Sequence, residues 1–436
     1  MTVDHPVLPT FSFTDLDLPV PLVRTLARQH ITSPTPVQAA VVPDALAGRD
    51  VLGRARTGSG KTLAFGLPML ARLAGPRSKP KSPRGLIIVP TRELAVQVRQ
   101  AMEPLATALG LRLVTVYGGA PYDRQIRGLR DGADIVVATA GRLEDLIERG
   151  ACRLDRVEIT VLDEADHLCD LGFFPVVTAL LEQTPANGQR LLLSATLDGD
   201  VDRLVRRYLS GPVVHQIDTD RSSITTMDHH VLLVGPDNKL QATRDLLLAN
   251  PRSIVFTRTR RGATQLARKL SDAGVGAVDL HGALTQRARE RNLAKFRTGR
   301  ANVVVATDVA ARGIHVDGVA LVVHYDMPNE SKAYLHRSGR TARAGSSGAV
   351  VTVATNREVG QLIRLHRSAG VDARHHDART APQPMTAKSL AGSGVASPRA
   401  SVPTSTRPER SRRPARSRRP ERPGRKPRHR QRAAPG

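Results

Sequence analysis

The chain is 436 residues long and carries 65 Lys and Arg against 40 Asp and Glu, a formal charge of +25. That length is too great for one core and sufficient for two domains and a tail, and the charge implies a polyanionic partner more than any fold. Two cysteines, Cys152 and Cys169, exclude a disulfide framework, no apolar run approaches the ~20 residues of a membrane span, and Met1 to Pro9 lacks the build of a signal peptide, so a soluble cytoplasmic protein is expected.

The charge is uneven. Residues 381–436 hold 15 Lys/Arg and 2 Asp/Glu, a net +13, which leaves +12 of the +25 for residues 1–380. The same segment has ten prolines and no aromatic residue, so it cannot bury a core and is expected to be disordered. Without rings for bases to stack on, such a tail binds nucleic acid through charge alone.

In chain order, Phe13 opens a helical pattern (Leu18, Leu22, Leu26) that leads into Ser33-Pro34-Thr35-Pro36-Val37-Gln38. The Gln38 amide donates and accepts, as the adenine edge does; alone it reads as a solvated helix residue. Asp50-Val51-Leu52 then runs into Ala55-Arg56-Thr57-Gly58-Ser59-Gly60-Lys61-Thr62 and an apolar helical segment. This matches the strand, glycine-rich turn and helix of a phosphate loop, with Ala55 at the first glycine position; taken alone, the eight residues also fit a fortuitous Gly/Ser turn. Backbone N–H groups face one anion, Lys61 reaches the β/γ-phosphates and Thr62 holds Mg²⁺.

Short apolar runs come next at Gly85 to Pro90, Leu113 to Tyr117, Ala133 to Thr139, Ile159 to Leu162, Arg190 to Ser194 and Val213 to His215. Helical patterns separate them, among them Arg92 to Leu109, Gly141 to Arg149 and Val201 to Leu209. Continuous apolarity predicts strands covered on both faces, hence an α/β fold with a parallel sheet. Polar residues gather where strands end, at Pro90-Thr91-Arg92-Glu93, Gly118-Gly119, Thr139 to Arg142, Asp163-Glu164-Ala165-Asp166 and Ser194-Ala195-Thr196. A carboxylate there is placed to bind Mg²⁺ and to orient water.

Asp218 to Asp228 reads as a linker. A second alternating series runs from His230 to about Gly370 without a phosphate loop of its own. It carries the basic segment His336 to Arg343, either a solvated helix face or a source of arginine fingers, Arg340 and Arg343, for the first domain's site.

Taken together, these stretches resemble the bacterial DEAD-box RNA helicases over about residues 11–375. Phe13 with Ser33 to Gln38 resembles the Q motif, Ala55 to Thr62 motif I, Asp163 to Asp166 motif II, and Ser194 to Thr196 motif III. In the second half, Val255 to Thr257, Gln286 to Arg289, Ala306 to Gly313 and His336 to Arg343 are similar to motif IV, the QxxR element, motif V and motif VI.

The resemblance implies two tandem RecA-like parallel-sheet domains followed by a disordered basic C-terminal tail. The expected divisions are a flexible 1–10, domain one at 11–217, a linker at 218–228, domain two at 229–376 and the tail at 377–436. It further implies that Phe13, Gln38 and Ala55 to Thr62 bind ATP, joined on closure by Asp308, Arg340 and Arg343. Thr62 and Asp163 take Mg²⁺, Lys61 and Glu164 serve catalysis, and Asp166, Ser194, Thr196 and His336 couple the domains. Thr91, Arg92, Gly119, Thr139, Arg142, Gln286, Arg289, Thr307 and Arg312 contact RNA.

The implied activity is RNA-stimulated ATP hydrolysis with local, non-processive unwinding by a cytoplasmic monomer that serves ribosome assembly or RNA decay. Three departures stand out: His30-Ile31 before the Q motif, Ala140 in the turn Thr139 to Arg142, and His315 where the family has an aspartate near the ATP ribose. A DNA helicase of the same architecture and a non-catalytic RNA-binding protein are the competing readings. The Q motif and the Asp163 to Asp166 spelling argue against the first, the intact catalytic set against the second.

Overall fold

The computed structural model describes residues 12–55, 59–197, 199–217, 227–311, 318–342 and 348–378. Among the described residues are fourteen strands in two sheets. The first sheet contains β1 (Val51–Arg54), β2 (Gly85–Val89), β3 (Leu113–Val116), β4 (Ile135–Thr139), β5 (Ile159–Asp163), β6 (Gln189–Ser194) and β7 (Val213–Gln216). The second contains β8 (Met227–Leu233), β9 (Ser253–Phe256), β10 (Ala277–Leu280), β11 (Val303–Ala306), β12 (Leu321–His324), β13 (Gly348–Ala354) and β14 (Arg374–Asp377).

Both are wholly parallel, and the second order, β10-β11-β9-β12-β13-β8-β14, repeats the first, β3-β4-β2-β5-β6-β1-β7, strand for strand. The two tandem RecA-like sheets expected from the sequence are therefore present.

The continuous apolar runs become central strands because alternate side chains feed two cores. Ile87, Val89, Ile135, Val137 and Val161 pack on one face of the first sheet; Leu86, Ile88, Val136, Ala138 and Leu162 pack on the other. The second sheet repeats the division, with Ile254, Phe256, Val304 and Val322 on one side and Val255, Val303, Val305 and Val323 on the other. Strand residues buried on both faces cannot slip by one position without exchanging cores, which fixes the register.

Three boundaries differ from expectation. Phe13 begins a short 3₁₀ turn, Phe13–Leu16, before the helix Val20–Arg28. Met227 and Asp228, assigned to the linker, open β8, because Met227 is buried and aligned with Gly348 of β13. Residues 218–226 lie outside the described residues, as does the tail from 379 onward. Arg374–Asp377 forms an edge strand beside β8, with Ala378 N–H donating to the Leu233 carbonyl, so Asp377 belongs to the sheet. Its polar sequence suits an edge, where one side of the strand meets solvent.

Among the described residues no helix is long and apolar enough to cross a membrane. Cys152 and Cys169 are unpaired, and burial pushes both thiols up to about 12.

Candidate active site

Strand order decides which turns become neighbours. The turns after β1, β5 and β6 carry Ala55 to Thr62, Asp163 to Asp166 and Ser194 to Thr196, and these three strands lie side by side. The turns after β2, β3 and β4 carry Thr91-Arg92, Gly118-Gly119 and Thr139 to Arg142, and those strands are also contiguous. One carboxyl rim thus holds two adjoining neighbourhoods, where an open parallel sheet binds its ligands.

In the first neighbourhood, Arg56, Thr57 and Gly58 lie outside the described residues. Around them, Lys61 opens the helix Lys61–Leu73 and its Nζ donates to the Ala55 carbonyl at 2.8 Å, tying together the two ends of the loop. Gly60 adopts φ 96°, and a Cβ there would come within 2.6 Å of Gln38 Nε2, so both backbone and space demand glycine. Gln38 donates from Nε2 to the Gly60 carbonyl at 3.0 Å and accepts at Oε1 from Thr35 N–H at 2.9 Å. One amide hydrogen and one lone pair are left over, the pair of functions an adenine edge needs. Ser59 and Thr62 sit half-buried on the same rim. Phe13 departs from expectation: its ring is 2% exposed and packed in the first core, where burial stabilises it more than solvent would, and it presents no open face for a base.

At the end of β5, Glu164 is held at φ 50°, a left-handed conformation that costs a side-chain-bearing residue about 1 kcal/mol or more. Its N–H donates to Asp163 Oδ1 at 3.0 Å, and its Oε2 lies 3.4 Å from His167 Nδ1. Burial pushes the Asp163 carboxyl up to about 7 despite the nearby Lys61 cation. Burial also acts to raise Glu164, but the His167 hydrogen bond and the charges of Lys61, His167 and Arg340 outweigh it and hold this carboxyl below the ordinary range. Neighbouring carboxylates are thereby driven apart in acidity.

Asp166 is the junction to β6. Its N–H donates to Ser194 Oγ at 3.2 Å, and its Oδ2 accepts from Thr196 N–H at 3.3 Å and from Thr196 Oγ1 at 3.4 Å. Ser194 Oγ in turn donates to the Thr196 carbonyl at 2.6 Å.

The second sheet supplies an imidazole and a guanidinium to this rim. His336, in the helix Ser331–Ser338, brings Nε2 to 4.0 Å from Asp166 Oδ2. Arg340, 7% exposed, lies close enough for its charge to act on Glu164. Arg343, Arg312 and His315 lie outside the described residues.

Asp308 differs from expectation. Instead of facing the nucleotide loop, its carboxylate is gripped by both arms of Arg337, Nε–H to Oδ1 at 2.5 Å and Nη2–H to Oδ2 at 2.7 Å, while Arg337 Nη1 donates to the Asp326 carbonyl at 2.6 Å. Arg337 was not singled out from sequence; in a run of four basic residues only packing shows which one turns inward. His167, three residues after Glu164, and Lys332, 3.4 Å from Asp170 across the cleft, were missed for the same reason.

In the second neighbourhood, Thr91 Oγ1 caps the helix Arg92–Ala108 by accepting from Leu94 N–H at 3.2 Å. The Arg92 guanidinium lies against Gly119, where φ is 82° and a Cβ would meet Nη1 at 2.4 Å. Arg142 comes three residues after Thr139, donates from Nη1 to the Ala120 carbonyl at 3.0 Å and stacks on Tyr122 at 4.0 Å. From the second sheet's side, Gln286 donates to Glu290 at 3.0 Å, and Arg289 Nε lies 3.0 Å from Glu93 Oε1 in a largely buried pair. Thr307 is buried at the end of β11. Gly119, Arg124, Gln286 and Arg287 border one cleft of about 760 Å³ between the two sheets' helices. Contacts thus bring Arg92 beside Gly119 and Arg289 beside Glu93, and Gly119 and Gln286 border one cleft, while Arg142 and Arg289 already spend guanidinium groups on protein partners.

The donors around Lys61 suit a magnesium–triphosphate: the Thr62 hydroxyl and the Asp163 carboxylate are hard oxygen ligands. Asp163, buried and resisting ionisation, is a group that a cation would favour.

Residues 35–204 match the DEAD/DEAH box helicase family and residues 238–345 the helicase conserved C-terminal domain. The chain is 37% identical over 359 residues to the DEAD-box ATP-dependent RNA helicase CshA of Geobacillus kaustophilus, covering 82% of this chain and 76% of that one. It is 39% identical to the ATP-dependent RNA helicase CshA of Listeria monocytogenes, covering 80% and 67%. Among solved structures, Saccharomyces cerevisiae Dbp5 bound to RNA and ADP BeF3 superposes with a TM-score of 0.75 at 26% identity, over 84% of this chain and 95% of that one. This chain belongs to the DEAD-box ATP-dependent RNA helicases, enzymes that couple ATP hydrolysis to RNA unwinding.

Proposed function

We propose that the chain is a non-processive remodeller of RNA, which hydrolyses ATP when RNA draws its two sheets together and pries short duplexes apart locally. Gln38 reads adenine and the loop from Ala55 to Thr62 holds the phosphates. Thr62 and Asp163 hold Mg²⁺, whose charge offsets that of the triphosphate. Glu164, kept ionised by its cationic neighbours, accepts a proton from the attacking water. Arg340 meets charge that develops on the transferring phosphoryl group. Asp166, bonded to Ser194 and Thr196 on one side and facing His336 on the other, links the state of the first rim to the position of the second.

RNA lies across the cleft that borders Gly119 and Gln286, gripped by its backbone and so without strong sequence preference. ATP and RNA each favour the closed arrangement and thereby favour one another. That the solved Dbp5 carries RNA and ADP BeF3 together is consistent with this reciprocity.

The observation that carries this reading is the approach of the helix Ser331–Ser338, from the second sheet, to the carboxyl rim of the first, where His336 Nε2 lies 4.0 Å from Asp166 Oδ2 and the charge of Arg340 acts on Glu164. Glu164→Gln is expected to abolish RNA-stimulated ATP turnover while ATP binding persists. Retained turnover in that variant would remove Glu164 from its role, and equal stimulation by DNA would remove the preference for RNA.

A further inference from the structure

The strands' amino ends, opposite the catalytic rim, border a groove of about 640 Å³ in the first sheet's unit. Arg84 immediately precedes β2, Glu158 precedes β5, and Gly188 precedes β6. With strands of five or six residues, this groove lies roughly 17–20 Å from the phosphate loop.

Five cations line it, Arg72, Arg77, Lys79, Arg84 and Arg156, against one carboxylate, Glu158. Arg84 and Glu158 neutralise each other through contacts of 2.6 and 3.2 Å, and Arg72 donates to the Leu46 carbonyl. Arg77, Lys79 and Arg156 are exposed, and none has an ion-pair or hydrogen-bond partner for its side chain among the described residues. The backbone around Arg77 and Lys79 is well held. Ser78, between two of them, donates its N–H to the fully buried Asp134 at 2.7 Å. Lys79 and Ser82 form a bridge, and Lys81 N–H donates to the Leu129 carbonyl at 2.9 Å. Three unneutralised cations, two of them on this anchored loop, make a receptor for an anion.

We propose that this groove is a second RNA-backbone site, which holds a flanking stretch of the strand engaged in the cleft. The lining excludes other occupants. No aromatic residue and few apolar ones border the groove, whereas small-molecule pockets and protein interfaces are built on such anchors. Cations without stacking platforms suit a phosphate backbone and read no sequence. A strand bound at both places gains affinity through effective concentration, and one too short to span them does not.

The proposal rests on the RNA-helicase reading, and the test separates the two. Full-length wild type and an Arg77→Ala, Lys79→Ala, Arg156→Ala variant are titrated with single-stranded RNA of about 10 and about 40 nucleotides over a range of salt. The variant should bind the long strand at least about tenfold more weakly, with a salt slope lower by about 2, the share of three phosphate contacts at ~0.7 each. Binding of the short strand, and the ATP turnover it stimulates, should be unchanged. A matched variant with Arg357, Arg364 and Arg367 replaced by alanine, on the second sheet's unit, should bind both lengths normally.

Wild-type affinity for the long strand in the groove variant would overturn the proposal. So would equal losses on both lengths, or an equal loss in the matched variant. A groove variant that lost affinity only for poly-glutamate would overturn it in favour of an acidic protein partner. If short RNA failed to stimulate the wild type, the helicase reading itself would fall, whatever the groove binds.

Discussion

The two sheets share one strand order and differ in the turns at their strands' carboxyl ends. After β1, β5 and β6 the first sheet presents a lysine-bearing loop and carboxylates; the corresponding rim of the second carries guanidinium groups and an imidazole. Beneath that rim the second sheet buries His229, His324 and His366 around Tyr334, with ring distances of 4.7–5.7 Å. On the proposed function, one topology serves two purposes: the first copy binds and cleaves, and the second brings cations to a site it cannot form alone.

The comparison is sharpened most by Arg337, which fixes the second rim without touching the first. Arg337→Ala strands the Asp308 carboxylate and should cost about 2 kcal/mol, below the usual range for a buried pair because Asp308 is one-third exposed. Denaturant unfolding should show the loss in the second unit; an unchanged midpoint would make the pair incidental.

Much of this was legible in the chain. Doubly covered strands such as Gly85–Val89 announce themselves by unbroken apolarity, and the turns after them by polar clusters. The edge strand Arg374–Asp377 was not legible, because β8 recruits it through backbone hydrogen bonds and not through apolar side chains. Phe13 was misjudged because a ring suited to stacking on a base is equally suited to a core. The pairing of Arg289 with Glu93, and of Arg337 with Asp308, depends on packing between segments far apart in the sequence. The amino-end groove was overlooked although Arg77, Lys79 and Arg84 stand close together in one loop, because only folding brings that loop beside Arg72 and Arg156.

A change spread over single histidines, each smaller than the Arg337 effect, separates the two sheets by pH. Burial lowers His229, His230 and His366 to about 4, well under the 6.5 of an unfolded histidine. A depressed histidine takes up its proton on unfolding, so the second sheet's stability is full above about pH 6.5 and is lost as the pH falls toward 4. At pH 5.5 the cost should be about 1 kcal/mol per histidine. Amide exchange in β8 and β13 should then quicken relative to β2 and β5; uniform acceleration across both sheets would deny the histidines this part.

Least costly is the Lys332–Asp170 contact, which bridges the units at 3.4 Å with both side chains partly exposed. Such pairs contribute about 0.2–1 kcal/mol. Lys332→Glu should weaken RNA-stimulated turnover by about fivefold or less, and adding Asp170→Lys should restore it. A double variant no better than the single one would place the pair outside the closure.

The division of labour between the sheets is tested most directly by single-turnover ATP hydrolysis with Arg340→Ala at saturating RNA. The rate should fall by roughly 10³-fold or more while ATP affinity stays within about threefold of wild type. Hydrolysis within about tenfold of wild type would mean that the first sheet's rim performs the chemistry without the cation delivered from the second.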